Sequence, residues 1–251
     1  MSNPVIEVES GDRILLRNRG TSWDRRSSAA IRPATRLGGP RLSNKVRAAN
    51  GLAKRLADIV IAATALIFLS PAWLTIAALI KLSDGGPVLY RHRRIGRFGA
   101  RFDCLKFRTM ATDGDERLAR HLDADPDAAT EWRETQKLRD DPRVTTVGAL
   151  LRRSSFDELP QLWNVLRGEM SVVGPRPVTR AELRRYGRDR RYYLLVRPGM
   201  TGLWQVSGRS HTTYEQRVRF DREYLEEWSW LGELWIMLMT IPAVLRTEEA
   251  Y

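Results

Sequence analysis

The sequence predicts a mostly helical α+β protein in which a broken membrane helix precedes a small cytoplasmic domain. The chain carries no charge across residues 59–80, about the 20 residues needed to cross a bilayer. Glycine turns lie near two short runs of alternating polarity, residues 88–90 and 102–107, which indicates a β-hairpin. Much of the chain after residue 110 has helical periodicity, and tryptophans accompany the apolar segments near the end. The expected architecture is therefore a helix–break–helix, a short hairpin and interfacial amphipathic helices.

The apolar run has a break at its centre. Pro71, directly after Ser70, removes an intrahelical hydrogen bond and bends a helix. Basic residues flank the run on both sides: Lys54 and Arg55 before it, and Lys81, Arg91, Arg93 and Arg94 after it. Because the positive-inside rule keeps both flanks in the cytoplasm, a helix that enters, breaks at Ser70-Pro71 and returns to the same face satisfies both facts. A kinked helix that spans the bilayer is the alternative.

The charge balance points to an anionic partner. The 251 residues hold 42 Lys and Arg against 30 Asp and Glu, a formal charge of +12. Such a balance implies nucleic acid, an anionic membrane surface or a phosphorylated substrate. The single cysteine, Cys104, excludes an internal disulfide and a cysteine-rich zinc site. The three histidines are scattered along the chain and do not form a cluster typical of a metal site.

These patterns divide the chain into three parts. Residues 1–50 are rich in Arg, Ser, Gly and Pro without an apolar run, which indicates a disordered basic tail and argues against a signal peptide. Residues 51–83 form the re-entrant membrane helix, and residues 84–251 form the cytoplasmic domain. Its last apolar segment, residues 230–245, is too short and interrupted by Pro242 to cross a bilayer, so it lies in the membrane interface or packs on the domain.

An adjacent acidic pair, Asp157-Glu158, is the most informative feature of the chain. Ser155 and Glu158 have the spacing of a capping box, which predicts that a helix begins here. Pro160 has no N–H to donate and must lie in the first turn, so Phe156 and Asp157 compete as the N-cap. If Asp157 only caps a helix, the pair has a structural role alone.

The residues around the pair permit phosphoryl chemistry. A carboxylate can attack phosphorus and form an acyl phosphate when arginines or a divalent metal neutralise the phosphate oxygens. The available arginines are Arg143, Arg152, Arg153, Arg176, Arg197 and Arg209. Because neighbours on a helix point about 100° apart, Asp157 and Glu158 are expected to have separate roles. Carboxylates together with phosphate suit a hard cation such as Mg²⁺.

Six motifs occur in order across residues 54–245. They are KRLADIVIA…SP, GGPVLYRHRRIGRFG, KFRTM, DPRVTTVGALLRRSSFDELPQLWNVLRGEMSVVGPRP, RPGMTGLWQVSGR and FDREYLEEWS. Together they resemble the monotopic phosphoglycosyl transferases, also called bacterial sugar transferases, and their joint presence is highly specific. Phe156 stands where this family usually has Leu, which puts nothing catalytic in doubt. The tail of residues 1–50 has no counterpart in the family.

The resemblance implies a reaction and a location. The family transfers a sugar 1-phosphate from a nucleoside diphosphate sugar to a polyprenol phosphate, usually undecaprenyl phosphate. With a UDP-sugar donor UMP leaves, and the lipid-linked diphosphate sugar begins a glycan such as an exopolysaccharide, an O antigen or a capsule. The protein is then expected at the cytoplasmic side of a bacterial inner membrane, as a short form without extra spanning helices ahead of the core.

The resemblance also implies roles for individual residues. Asp157 is the nucleophile that carries the phosphosugar and binds the required Mg²⁺, and Glu158 is its catalytic partner. The membrane helix breaks at Ser70 and Pro71. Family positions fall on Arg176, Arg197 and Asp221, and the full set expected to bind substrate or its phosphates is Arg153, Arg176, Arg197, Arg209 and Asp221.

Two other classes of protein are weaker alternatives. A membrane scaffold that kept the fold and lost activity is disfavoured by the intact Asp157-Glu158 pair and Arg176. A basic nucleic-acid-binding protein fits the charge, but the apolar run and the lack of a nucleic-acid module argue against it, so no nucleic acid is expected as a partner. The sequence leaves open which sugar is carried, which polymer is built, the role of the basic tail and the oligomeric state, a homodimer included.

Overall fold

The computed structural model describes residues 6–9, 13–16, 40–208 and 212–245. Helices dominate these residues and are accompanied by small two-stranded sheets. The first sheet pairs β1 (Ile6–Glu9) with β2 (Arg13–Leu16) in antiparallel order. The predicted class, α+β and mostly helical, is confirmed for the described residues.

The first helix, α1 (Pro40–Ala49), corrects the predicted extent of the tail. Its residues Leu42, Val46 and Ala49 recur at helical spacing and are buried in one core cluster, which includes Trp228 from far along the chain. The prediction that residues 1–50 are disordered is therefore wrong for residues 40–49. The average composition of the tail concealed a short apolar stripe, and such a stripe folds as a helix once a partner surface buries it.

The apolar segment forms two helices, α2 (Leu52–Phe68) and α3 (Ser70–Asp84). Pro71 lies in the first turn of α3, where its missing N–H removes no intrahelical bond. The Ser70 hydroxyl donates to the Ile67 carbonyl at 2.8 Å and satisfies an acceptor at the end of α2. The helix therefore breaks at Ser70-Pro71, where the sequence places the break.

The two helices meet at an angle and present apolar side chains. Among the described residues, no single helix is both long and apolar enough to cross a bilayer. One pair passes that test of length and composition, Arg41–Phe68 with Ser70–Asp84, and it is bent by 62°. Its large exposed apolar side chains include Leu52, Val60, Ile67, Phe68, Leu74 and Leu82. The pair thus offers an apolar surface that the described fold does not cover.

The strands β3 (Leu89–Ile95) and β4 (Arg101–Phe107) form an antiparallel hairpin, which confirms the prediction. Strand β3 extends beyond the predicted run and includes several arginines. Because side chains alternate along a strand, the even-numbered residues of both strands share one face and the odd-numbered residues share the other. The even face carries Tyr90, His92, Arg94, Phe102, Cys104 and Lys106.

Three helices follow the hairpin: α4 (Gly114–Ala124), α5 (Pro126–Thr135) and α6 (Thr146–Arg153). The first two are polar surface helices. Helix α6 begins at the cap Thr145 and leads directly to the acidic pair. A Cβ atom on Gly148 of α6 would lie only 2.0 Å from the Thr109 carbonyl oxygen. This close approach fixes α6 against the end of the hairpin.

After α7 (Gln161–Arg167), strand β5 (Ser171–Val173) pairs in parallel with β6 (Gly199–Thr201). A Cβ atom on Gly199 would lie 2.1 Å from the Gly174 nitrogen, so the two segments approach too closely for a side chain. The chain then runs from β5 to Val178, whose carbonyl accepts from Ile95 at the end of β3. The segment that contains Arg176 is therefore anchored at both ends.

The remaining helices enclose the main core. They are α8 (Arg180–Arg185), α9 (Arg190–Leu195), α10 (Leu203–Ser207), α11 (Tyr214–Glu226) and α12 (Trp230–Leu245). Helix α12 buries Ile236 against this core, whereas Leu231, Leu238 and Ile241 are exposed. It therefore packs on the domain along one face, and its other face is apolar and uncovered.

Candidate active site

The acidic pair lies in a single 3₁₀ turn, Phe156–Glu158, between α6 and α7. Ser155 before it has φ of 57°, a left-handed backbone that redirects the chain. No side chain caps this turn, and Pro160 takes the N-cap position of α7. The predicted capping box of Ser155 and Glu158 is therefore wrong, and neither alternative N-cap residue caps α7. Leu159 and Pro160 both have helical backbone angles, but Pro160 has no N–H to donate, so the regular hydrogen-bonded helix α7 begins after it.

Lys106 of β4 binds both carboxylates. Its ammonium donates to Asp157 Oδ2 at 3.0 Å and to Glu158 Oε1 at 2.7 Å. An α-helical spacing would point the two carboxylates apart, but the tight turn aims both at one cation. Asp157 is buried, whereas the side chains of Lys106 and Glu158 are 26% and 25% exposed. The three groups therefore form one charged cluster that still reaches the surface.

The surroundings move the pKa values of the two carboxyl groups in opposite directions. Burial and the charge of Glu158 raise the pKa of Asp157 by more than the Lys106 ammonium lowers it. Burial also acts to raise the pKa of Glu158, but Lys106 and Arg176 outweigh it and the net pKa is lowered. Burial acts to lower the pKa of Lys106, yet its two anionic partners raise it overall. The charge of Arg152 also acts to lower the pKa of Asp157, but the cation in contact with this carboxylate is Lys106.

A narrow cationic cleft opens beside Glu158 on the even face of the hairpin. Residues that line it include His92, Arg94, Lys106, Glu158, Arg176 and Gln205. The Arg176 guanidinium stands 5.5 Å from the centre of the Trp204 ring, and buried prolines flank its backbone. Positive groups that converge beside a reactive carboxylate are suited to hold phosphate oxygens.

An apolar cavity of about 500 Å³ lies on the odd face of the same hairpin. Leu89 and Leu105 line it from the strands, and Pro160 lines it from the segment after the acidic pair. The other walls come from the helix break and from α7: Leu66, Ser70, Trp73, Leu74 and Trp163. Because Leu105 adjoins Lys106 in β4, the hairpin separates the cavity from the cleft. Glu158 lines the cleft, and Pro160, two residues after it, lines the cavity.

Arg176 is the predicted phosphate-binding arginine that the structure brings to the acidic pair. Arg197 has a different environment, since its Nε donates to the Gly168 carbonyl at 2.9 Å. Arg55 donates to the carbonyls of Val165 and Leu166 at the same helix end. The two arginines therefore satisfy the carbonyl groups at the C-terminus of α7.

The other predicted residues also lie apart from the pair. Arg153 is exposed at the end of α6. Asp221 is buried in α11 and accepts a hydrogen bond from the Tyr186 hydroxyl at 2.6 Å. Burial raises the pKa of Asp221 to about 7. Arg209 lies outside the described residues.

The sequence interpretation missed Lys106, His92 and Arg94 as members of the site. Lys106 lies in the KFRTM motif, and the other two lie in GGPVLYRHRRIGRFG. Strand alternation was the available signal, because it places these three residues on one face of the predicted hairpin. That face carries two cations and an imidazole beside the buried Cys104.

Comparisons with known proteins show the family to which the chain belongs. Residues 49–247 match the family model described as bacterial sugar transferase. The chain belongs to this family, and it is a phosphoglycosyl transferase.

Several relatives have descriptive names. The chain is 53% identical over 212 residues to the exopolysaccharide production protein ExoY of Rhizobium meliloti (strain 1021), covering 84% of this chain and 94% of that protein. It is 47% identical over 210 residues to the undecaprenyl-phosphate galactose phosphotransferase of Salmonella typhimurium, covering 83% of this chain and 44% of that protein. It is 42% identical over 213 residues to the UDP-glucose:undecaprenyl-phosphate glucose-1-phosphate transferase of Caulobacter vibrioides, covering 82% of this chain and 74% of that protein.

Proposed function

We propose that the protein transfers a sugar 1-phosphate from a UDP-sugar to undecaprenyl phosphate and releases UMP. The observation that carries this proposal is that Glu158 of the acidic pair lines a cationic cleft while Pro160, two residues further along the chain, lines an apolar cavity. The cleft suits the diphosphate of the donor, and the cavity suits the first part of the acceptor's hydrocarbon chain. Two relatives have names that include undecaprenyl phosphate, and one of these also names UDP-glucose.

In the proposed reaction, a carboxylate oxygen of Asp157 attacks the phosphorus that bears the sugar. A bond forms between that oxygen and phosphorus while the bond to the bridging oxygen of UMP breaks, and UMP leaves with the electron pair. An oxygen of the lipid phosphate then attacks the same phosphorus, and Asp157 leaves as a carboxylate. This route divides one difficult displacement into two easier ones.

Lys106, Glu158 and Arg176 support both steps. The Lys106 ammonium contacts Asp157 and favours its anionic form against the effect of burial. Glu158, whose pKa is lowered, remains anionic and holds Lys106 at 2.7 Å. Arg176 lines the cleft beside Glu158 and offers a planar guanidinium to the phosphate oxygens.

The site also fits Mg²⁺. In the described part of the chain, no group of three or more His, Cys, Asp or Glu side chains forms a metal site by itself. Mg²⁺ characteristically uses one or two carboxylates together with substrate phosphate oxygens and water. Asp157 and a bound diphosphate provide that set, and the ion would neutralise charge on the transferring phosphate.

We place the reaction at the cytoplasmic face of a bacterial inner membrane. The bend of 62° between the apolar helices, their exposed apolar side chains and the basic flanks support a segment that enters the membrane and returns. The uncovered apolar face of α12 supports contact with the same interface. An acceptor confined to the membrane by its hydrocarbon chain would meet the acidic pair there.

The product would begin a membrane-linked glycan. The name of the Rhizobium meliloti relative refers to exopolysaccharide production, which supports a role of this type. An inactive scaffold is the alternative, and the complete cluster of Lys106, Asp157 and Glu158 beside a cationic cleft argues against it.

The test is UMP release by Asp157→Asn in a membrane-inserted preparation. The substitution keeps the size of the side chain and an acceptor for Lys106 but removes the nucleophile, so turnover should fall by on the order of a thousandfold or more. Mass spectrometry of the wild type, incubated with a UDP-sugar but no lipid, should find a phosphosugar adduct on the Asp157 peptide.

Asp103→Asn is the matched control. Asp103 pairs with Arg93 in an exposed ion pair outside both the cleft and the cavity, so this variant should turn over like the wild type. Substantial UMP release by Asp157→Asn would remove the nucleophile from the proposal. No release by the wild type across a panel of UDP-sugars would favour the scaffold.

A further inference from the structure

His92 occupies the cationic cleft because of its position in β3. It is paired directly with Cys104 of β4 and shares the even face of the hairpin with Arg94 and Lys106. The cleft that these residues line also includes Arg176. The imidazole therefore lies on the face of the hairpin that is proposed to bind the UDP-sugar, and the apolar cavity lies on the other face.

The position of the proton on the His92 imidazole is set by its neighbour. Arg94 Nη2 lies 3.2 Å from His92 Nδ1. A guanidinium has only donors, so Nδ1 must accept and carries no proton. Burial and the positive charges of Arg94 and Lys106 lower the pKa of His92 against the opposing charge of Glu182, which keeps the ring neutral at pH 7. The proton of the neutral ring is then on Nε2.

Arg94 is itself held in place. Its Nη1 donates to Glu182 Oε2 at 2.9 Å, and its side chain is only 14% exposed. Glu182 accepts from the backbone N–H of Thr179 as part of the capping box of α8. A chain of contacts from α8 therefore fixes Arg94, and Arg94 fixes the orientation of the imidazole. The described contact of the imidazole uses Nδ1 and does not involve Nε2.

We propose that His92 donates from Nε2–H to a phosphate oxygen of the nucleoside diphosphate donor. Lys106 and Arg176 supply charge in the cleft, and a neutral N–H donor adds a fixed direction to that attraction. The donor is the expected ligand because the cavity suited to the acceptor's chain lies across the hairpin. This inference rests on the proposed function, since it names the donor of that reaction.

Two substitutions distinguish a direct contact between His92 and phosphate from an indirect effect of His92 through Arg94. The amide of Asn reaches about as far as Nδ1, whereas the amide of Gln reaches about as far as Nε2. His92→Asn therefore keeps an acceptor for Arg94 and loses the donor, and His92→Gln restores a donor. The probe is UMP, titrated calorimetrically into the purified full chain. We expect about tenfold weaker binding for His92→Asn and less than about threefold for His92→Gln.

Uridine is the matched control ligand, because it lacks the phosphate and should bind all three proteins equally. Normal UMP binding by His92→Asn would show that His92 does not contact the phosphate and would overturn the inference. A rise in KM for the lipid acceptor alone would assign the contact to the acceptor phosphate and overturn it equally. UMP binding can be measured without turnover. A wild type that releases no UMP would contradict only the proposed function, whereas the binding results test the role of His92.

Discussion

Two clusters of one lysine, one aspartate and one glutamate lie at different depths in this protein. We call them the inner cluster, made of Lys54, Asp58 and Glu233, and the site cluster, made of Lys106, Asp157 and Glu158. Lysine–carboxylate distances run from 2.6 to 2.9 Å in the first and from 2.7 to 3.0 Å in the second. Side chains of the inner cluster are at most 5% exposed, whereas those of the site cluster are 13–26% exposed.

The inner cluster is closed by protein partners. Asp58 accepts from the Ser171 hydroxyl and from the backbone N–H of Val172. Glu233 accepts from the Tyr224 hydroxyl and the Trp228 indole at 2.6 and 2.8 Å. These bonds join α2 to β5, α11 and α12, so the cluster fixes the first apolar helix to the end of the domain. The described contacts of both carboxylates are with protein groups, which offset the cost of burying an ion pair.

The site cluster differs in what it leaves unfilled. Within the described residues, Lys106 is the hydrogen-bond partner of Asp157, and both Lys106 and Glu158 line the cleft. The pKa values of Asp157 and Glu158 are also pushed in opposite directions. In the inner cluster the charges are structural, because protein groups complete their hydrogen bonds. In the site cluster we expect a substrate to complete those bonds, which leaves the same charges available for chemistry.

The largest expected effect is on the inner cluster. Lys54→Met keeps the length of the side chain but leaves two buried carboxylates without a cation. The free energy of unfolding should fall by about 3–5 kcal/mol, since breaking a buried ion pair strands its partner. Denaturant unfolding of the detergent-solubilised protein, followed by tryptophan fluorescence, measures this change.

The triple variant Lys54→Met, Asp58→Asn, Glu233→Gln is the matched control. It removes all three charges, so most of the stability lost in Lys54→Met should return. An unfolding curve of Lys54→Met that matches the wild type would show that water reaches the inner cluster, and the contrast between the clusters would fail.

In the site cluster, removal of the lysine should affect activity more than stability. Lys106→Met should lower the rate of UMP release by about a hundredfold to a thousandfold, since it removes charge stabilisation at the reacting group. Its unfolding free energy should fall by less than that of Lys54→Met, because water reaches the partly exposed Glu158 carboxylate. The exposed Lys137→Met is the control and should change neither quantity. A stability loss equal to that of Lys54→Met would make Lys106 structural.

Local patterns were enough to predict several elements of this protein. Proline after Ser70 predicted the helix break, and alternating residues predicted the hairpin that carries Lys106. The family motif marked Arg176 as a phosphate-binding residue, and Arg176 does line the cleft. Each of these features depends on residues close together in the chain, where steric and hydrogen-bonding preferences act without tertiary contacts.

Long-range electrostatics could not be predicted in the same way. Lys106 and Asp157 are 51 residues apart, so only packing of β4 against the turn brings them together. The sequence predicts Lys54 as a basic flank of the membrane segment, yet its side chain is buried, 4% exposed, and pairs with Glu233 from near the other end of the chain. The sequence shows the charge of each residue, but the distance between two residues depends on the complete fold.

Asp221 is a buried carboxylate outside both clusters, and in the described part of the chain no lysine contacts it. It is 3% exposed, bonds to the Tyr186 hydroxyl, and is influenced by Arg217 and Arg176 only through their charges. Burial raises its pKa from 3.8 to about 7. Between these two values the folded state holds a proton that the unfolded state has released, so stability falls as pH rises across that window.

Asp221→Asn should remove this part of the pH dependence while keeping an acceptor for the Tyr186 hydroxyl. The contribution of Asp221 is fully present below about pH 4 and is lost as pH approaches 7, with a slope of at most about 1.4 kcal/mol per pH unit for one proton. Unfolding free energies of wild type and variant across this range give the difference, in which other titrating groups, Asp157 included, cancel. A difference that stays constant with pH would mean that Asp221 is ionised in the folded protein. Burial alone would then not decide its charge, and a cation would have to act on it as Lys106 acts on Asp157.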